Sequence, residues 1–119
     1  MDTVINLRSE PELRELLKRA PTNHNLGTRV HDNVALVDRR SKWGNPFRLG
    51  AHGTREEIIT LYRLLLWRRI RIGSIPLDDL AQLNGKRLAC WCHPLPCHAH
   101  VLARAAAWAA SALAERRAE

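Results

Sequence analysis

Three short apolar runs, residues 4–7, 34–37 and 86–92, constrain the fold of this 119-residue chain more than any other feature. Each is too short for a buried helix and is bounded by polar residues, which is the pattern of a strand. The segments between them carry helical periodicity instead. Ser9, Pro11 and Glu12 open a helix with Leu13, Leu16 and Leu17 on one face, and Pro21 ends it. Thr54 and Glu57 form a capping box ahead of Ile58, Ile59, Leu61, Tyr62, Leu65, Leu66 and Ile70, with Gly73 as the stop. Pro76 starts a short helix through Leu77, Leu80 and Leu83. An Ala-rich helix runs from about His98 to Arg116 and buries Val101, Leu102, Ala105, Trp108, Ala109 and Leu113. Residues 21–32 read as a loop, and Trp67 and Trp108 read as packing. Strands alternating with helices predict an α/β fold of two or three layers, a short, largely parallel sheet flanked by helices.

The length fits one domain, 1–119. No stretch is apolar enough to span a bilayer. The start Met1-Asp2-Thr3-Val4 lacks the basic and apolar parts of a signal peptide, so a cytoplasmic location is the expectation. An odd number of cysteines without such a signal argues against a disulfide framework.

All three cysteines lie within the box Leu88-Ala89-Cys90-Trp91-Cys92-His93-Pro94-Leu95-Pro96-Cys97-His98. On a strand, Cys90 and Cys92 share a face. Cys97 and His98 follow at a helix start. Three readings stay open. Cys90, Cys92, Cys97 and His98 are a sufficient set for tetrahedral zinc. Alternatively, Cys97 at a helix N-terminus is a thiol nucleophile or part of an anion site, with His98, His93 or His100 as its base, and His93 and His100 could also replace His98 as a ligand. Or the thiols only pack. The zinc deaminases are excluded, because no His-x-Glu occurs and Pro96-Cys97 is not followed by a second cysteine at their spacing.

The second chemical segment is Arg39-Arg40-Ser41-Lys42-Trp43-Gly44-Asn45-Pro46-Phe47, which follows the second strand. Arg39, Arg40, Ser41 and Lys42 suit a phosphate, Trp43 offers a stacking face, and Asn45 offers an amide for readout. Glu56 is a candidate acid or base beside it, with Asp38 as the other choice, and Glu57 is assigned to the cap. Between Arg29 and Arg71 stand ten basic and four acidic residues, which is six of the seven net positive charges. Such a field attracts a phosphate-bearing small molecule or nucleic acid. Both segments begin where a strand ends, the usual position of a ligand in an α/β sheet, and this places them in one site.

Together the two segments resemble the small bacterial and phage proteins of the domain of unknown function 4326 family. The resemblance rests on Arg39-x-Ser41-x-Trp43-Gly44-Asn45-Pro46-Phe47, the capped helix with Tyr62, and Cys90-x-Cys92-x-Pro94-x-x-Cys97-His98. It covers residues 34–103, leaving 1–33 as a variable N-terminal part and 104–119 as a helix end. It implies that the two motifs belong together and carries no activity of its own. The residues therefore point to a nucleotide- or nucleoside-phosphate-binding protein with a Cys/His site, possible as an enzyme of nucleotide or nucleobase metabolism. The alternative is a zinc-stapled nucleic-acid-binding module.

Overall fold

A computed structural model describes residues 3–39, 41–91 and 97–118. Strand β1 (Val4–Asn6) leads through a 3-10 turn into helix α1 (Pro11–Arg19). Strands β2 (Thr22–Asn23), β3 (Thr28–His31) and β4 (Val34–Leu36) follow, then α2 (Arg55–Arg71), α3 (Leu77–Ala81), β5 (Arg87–Cys90) and α4 (His98–Ala118). The sheet order is β1-β5-β4-β3-β2.

The α/β class stands, but the sheet is mixed rather than largely parallel. The three strands expected from the sequence, β1, β5 and β4, do run parallel. The two further strands, β3 and β2, pair antiparallel and lie in the stretch read as a loop. Asp32 and Asn33 form the two-residue link from β3 to β4, and Asp32 takes a left-handed φ of 51°. Asp tolerates that conformation better than most side chains, which suits a tight hairpin.

Alternation along the strands divides the core in two. Val4, Ala35, Leu88 and Cys90 face α3 and α4 together with Tyr62 and Leu66 of α2. Ile5, Val34, Leu36 and Ala89 face the other way, under Leu13 and Leu17 of α1. One thin helical layer and one thick layer therefore enclose the sheet.

The helix termini follow their sequence signals with one exception. Thr54 Oγ1 accepts from the Glu57 amide, and the Glu57 carboxylate accepts from the Thr54 amide. That second bond holds the Glu57 carboxyl below its ordinary value. Gly73 supplies the left-handed residue after α2, at φ 83°. The expected Ser9 cap is absent: Glu10 precedes α1 without a side-chain cap, while Ser9 Oγ donates to Asn6 O.

The parallel arrangement brings the C-terminal ends of β4 and β5 side by side. Leu36 is level with Ala89, and the Val37 amide donates to Ala89 O. The segment after β4 and the cysteine box after β5 therefore leave the sheet at one edge. Thr54→Ala is expected to lower stability by about 1 kcal/mol, since the cap bond is lost. Urea unfolding checks this as a lower midpoint at unchanged slope.

Candidate functional site

Residues 38–39 and 41–47 turn back on the strand that precedes them. Ser41 Oγ donates to Asp38 O and accepts from the Trp43 amide. A Cβ on Gly44 would sit 2.5 Å from Asp38 O and 2.6 Å from Arg39 Cα, so only glycine permits this fold-back. Trp43 is 1% exposed, and its indole N–H donates to Leu26 O at 2.7 Å. The Tyr62 hydroxyl donates to Trp43 O at 2.8 Å. Trp43 thus anchors the loop to the core and presents no face for stacking. Asn45, 8% exposed, donates to Ile58 O and accepts from the Phe47 amide. These bonds leave the amide one N–H and one lone pair for a ligand.

The loop closes a cavity of about 380 Å³ against the strand ends. Asp38, Arg39, Asn45 and Phe47 form its loop side, and Arg55, Ile58 and Ile59 come from the first turns of α2. Cys90, Trp91, Cys97 and His98 complete it. The Trp91 indole N–H donates to Asp38 Oδ2 at 3.3 Å, tying the two strand ends together at the cavity wall. The two motifs expected to share a site do line one cavity.

Cys97 immediately precedes α4. Its sulfur lies 3.5 Å from the Ala99 amide nitrogen, which donates to it, 3.3 Å from Cys90 Sγ and 3.4 Å from His98 Nδ1. His98 Nε2 is 2.7 Å from Val37 O. A carbonyl only accepts, so Nε2 carries the proton. A neutral ring then has its lone pair on Nδ1, directed at the Cys97 thiol. The Ala99 amide donates to the sulfur, and the imidazole is placed to accept the thiol proton. The Tyr62 ring and the imidazole meet edge to face at a centroid distance of 5.0 Å. Burial pushes the Tyr62 hydroxyl well above its ordinary 10.0, and the Arg69 guanidinium offsets part of this.

Of the remaining expected site residues, Ser41 and Lys42 line an adjoining basic shelf of about 300 Å³ with Arg39, Asn45, Arg48 and Arg69. Lys42 also pairs with Asp79 at 3.1 Å. Glu56 is exposed on α2 and lines neither space. Arg40 and Cys92 lie outside the described residues. Arg55 was not singled out by sequence, although Arg55, Ile58 and Ile59 are spaced to share one helix face.

Zinc has suitable donors in Cys90, Cys97 and His98. A histidine that donates its other ring N–H to a carbonyl is the usual arrangement of a zinc ligand. Among the described residues, however, no group of three or more His, Cys, Asp or Glu side chains is disposed to hold a metal ion. A zinc site therefore needs a further donor from residues 92–96, where Cys92 and His93 stand.

Comparison with known proteins gives a family and no activity. The family model described as "Domain of unknown function (DUF4326)" matches residues 21–108. It takes in the β2–β3 hairpin as well as both motifs. A 12.4 kDa protein of the nrdA-td intergenic region of Enterobacteria phage T4 is 40% identical over 67 residues, 56% of this chain. The chain spans 61% of the length of that curated relative. No solved structure gives a significant match. Among the described residues, no helix is long and apolar enough to cross a membrane.

Two outcomes follow from the geometry. Gly44→Ala is expected to push the loop off the strand end and to cost about 1–3 kcal/mol, the usual range for overpacking, measurable by urea unfolding. Tyr62 is the chain's one tyrosine, so its ionisation is readable alone by tyrosinate absorbance. Because its folded value is raised, the stability it contributes is fully present below pH 10 and is lost as pH climbs further. The absorbance rise should come at higher pH in native than in urea-unfolded protein.

Proposed function

The chain belongs to the DUF4326 family, and from its geometry we propose that it binds a nucleotide or related nucleoside phosphate. One observation carries the reading: Arg39 and Asn45 line both the cavity and the basic shelf. A ligand lying across them meets two different environments. The cavity offers apolar walls from Phe47, Ile58, Ile59 and Trp91 together with the Asn45 amide and the Asp38 carboxylate. Those groups suit a flat, partly polar base. The shelf offers Arg39, Arg48 and Arg69, none of which forms an ion pair with a described carboxylate. Arginine forks suit phosphate oxygens.

In this reading Cys97 and His98 are the reactive groups, a thiol and its proton acceptor in the cavity lining. They make the protein a candidate enzyme of nucleotide or nucleobase metabolism, with Cys97 as nucleophile and His98 as base. Asp38, at the cavity wall, takes the acid/base place first considered for Glu56.

Equilibrium binding of the common nucleoside 5′-monophosphates tests the proposal. Binding is expected, and Arg39→Ala with Arg48→Ala should weaken it about tenfold or more, as for lost charge-assisted hydrogen bonds. No binding of any of them at millimolar concentration, or affinity indifferent to both changes, would refute it.

The cluster of two sulfurs and an imidazole also favours a second reading, zinc held by Cys90, Cys97, His98 and Cys92. Zinc there would tie β5 to α4 and take the thiols out of covalent chemistry. Elemental mass spectrometry of untagged protein separates the two. Near-stoichiometric zinc that is lost in Cys97→Ala supports the metal centre, and metal-free protein with a reactive thiol supports the nucleophile.

A further inference from the structure

Trp67 and Trp108 were expected in the core, yet they are 36% and 42% exposed. Their rings meet edge to face at a centroid distance of 4.8 Å, where α2 and α4 run past each other. Beside them is a cavity of about 210 Å³ lined by Arg63, Trp67, Val101, Arg104 and Ala105. Leu64, next to Arg63 in α2, is 60% exposed. Among the described residues, no carboxylate lines this groove. Among the described residues, Arg63, Arg104 and the neighbouring Arg68 and Arg71 form no ion pair. Three of these four arginines come from α2, two of them from its last turn.

Exposed indoles between uncompensated guanidiniums fit a polyanion with flat faces. Single-stranded nucleic acid has that chemistry, with bases to stack on tryptophan and phosphates to meet arginine. A second copy of this chain fits poorly, because a symmetric contact here would bring like charges together. We propose that the α2–α4 groove binds single-stranded nucleic acid, with bases on Trp67 and Trp108 and phosphates on Arg63 and Arg104.

The groove and the cavity draw on the same two helices. Ile59 lines the cavity, and Arg63 and Trp67 follow it at four-residue steps. On α4, His98 lines the cavity, and Val101, Ala105 and Trp108 succeed it along one side. Ile59 to Trp67 is roughly 12 Å of helix rise. Where the nucleotide reading of the cavity holds, its nucleotide is one residue of a bound strand. That extension rests on the cavity reading, and binding in the groove does not.

The test is fluorescence anisotropy with a labelled twelve-residue thymidylate oligonucleotide, alongside mononucleotide binding by the same variants. Trp67→Ala and Trp108→Ala are each expected to weaken oligonucleotide binding about tenfold, and Trp67→Phe to recover most of it. The two phosphate contacts give about a sevenfold loss between about 50 and about 200 mM salt. These groove variants should leave mononucleotide affinity unchanged, while Arg39→Ala should lower it. Mononucleotide binding absent with groove-dependent oligonucleotide binding would defeat the cavity reading alone. Four results would overturn the groove proposal: no oligonucleotide binding at low salt, affinity indifferent to both tryptophans, equal competition by a polyglutamate peptide, or a dimer in sedimentation that Trp67→Ala disperses. Both tryptophans are at the surface, and circular dichroism checks that the variants fold.

Discussion

The hydrogen bond from His98 Nε2 to Val37 O, 2.7 Å long, is the contact on which the rest of the site depends. It joins the first turn of α4 to the end of β4, two elements far apart in sequence. It also sets the imidazole tautomer, and with it the direction of the Nδ1 lone pair toward Cys97. A buried carbonyl and a buried imidazole each lose solvation in that place, so neither can relinquish the other cheaply. The parallel alignment of β4 and β5 makes the contact possible, because only then do the two loops emerge at one edge. Tyr62 reinforces it from α2, with its ring against His98 and its hydroxyl on Trp43 O.

What could be read from the sequence was local or periodic. The Thr54–Glu57 box, the Gly73 stop and the three apolar strands are signals contained within a few residues, and each marks a real element. The β2–β3 hairpin was not legible, because Thr22, Asn23 and Arg29 are exposed and its strands carry no apolar alternation. Its absence made the sheet seem largely parallel. Indole burial was the other gap. Trp43 sits in a polar loop and is buried as an anchor, whereas Trp67 and Trp108 sit in helices and reach solvent. Local sequence states that an indole is present and not which neighbours will cover it. For the same reason, Ser41 and Asn45 prove to shape the loop through backbone hydrogen bonds as well as to face the spaces beside it.

Charge and apolar surface are arranged along α2 in a way that unifies the two proposals. Its first turns give Arg55, Ile58 and Ile59 to the cavity, its middle gives Arg63 and Trp67 to the groove, and Arg69 reaches the shelf. The basic excess of residues 29–71 is therefore distributed over surfaces that also carry ligand-sized concavities. A merely solubilising charge has no reason to follow those concavities.

The central claim is that the Cys97–His98 pair faces a nucleotide-sized cavity. It is tested most directly by the rate at which Cys97 is alkylated by iodoacetamide, followed by peptide mass spectrometry with and without a nucleoside monophosphate. The account expects Cys97 to react faster than an ordinary buried thiol and to be protected by the nucleotide, with protection lost in Arg39→Ala. Alkylation at an unchanged rate under saturating nucleotide would contradict it.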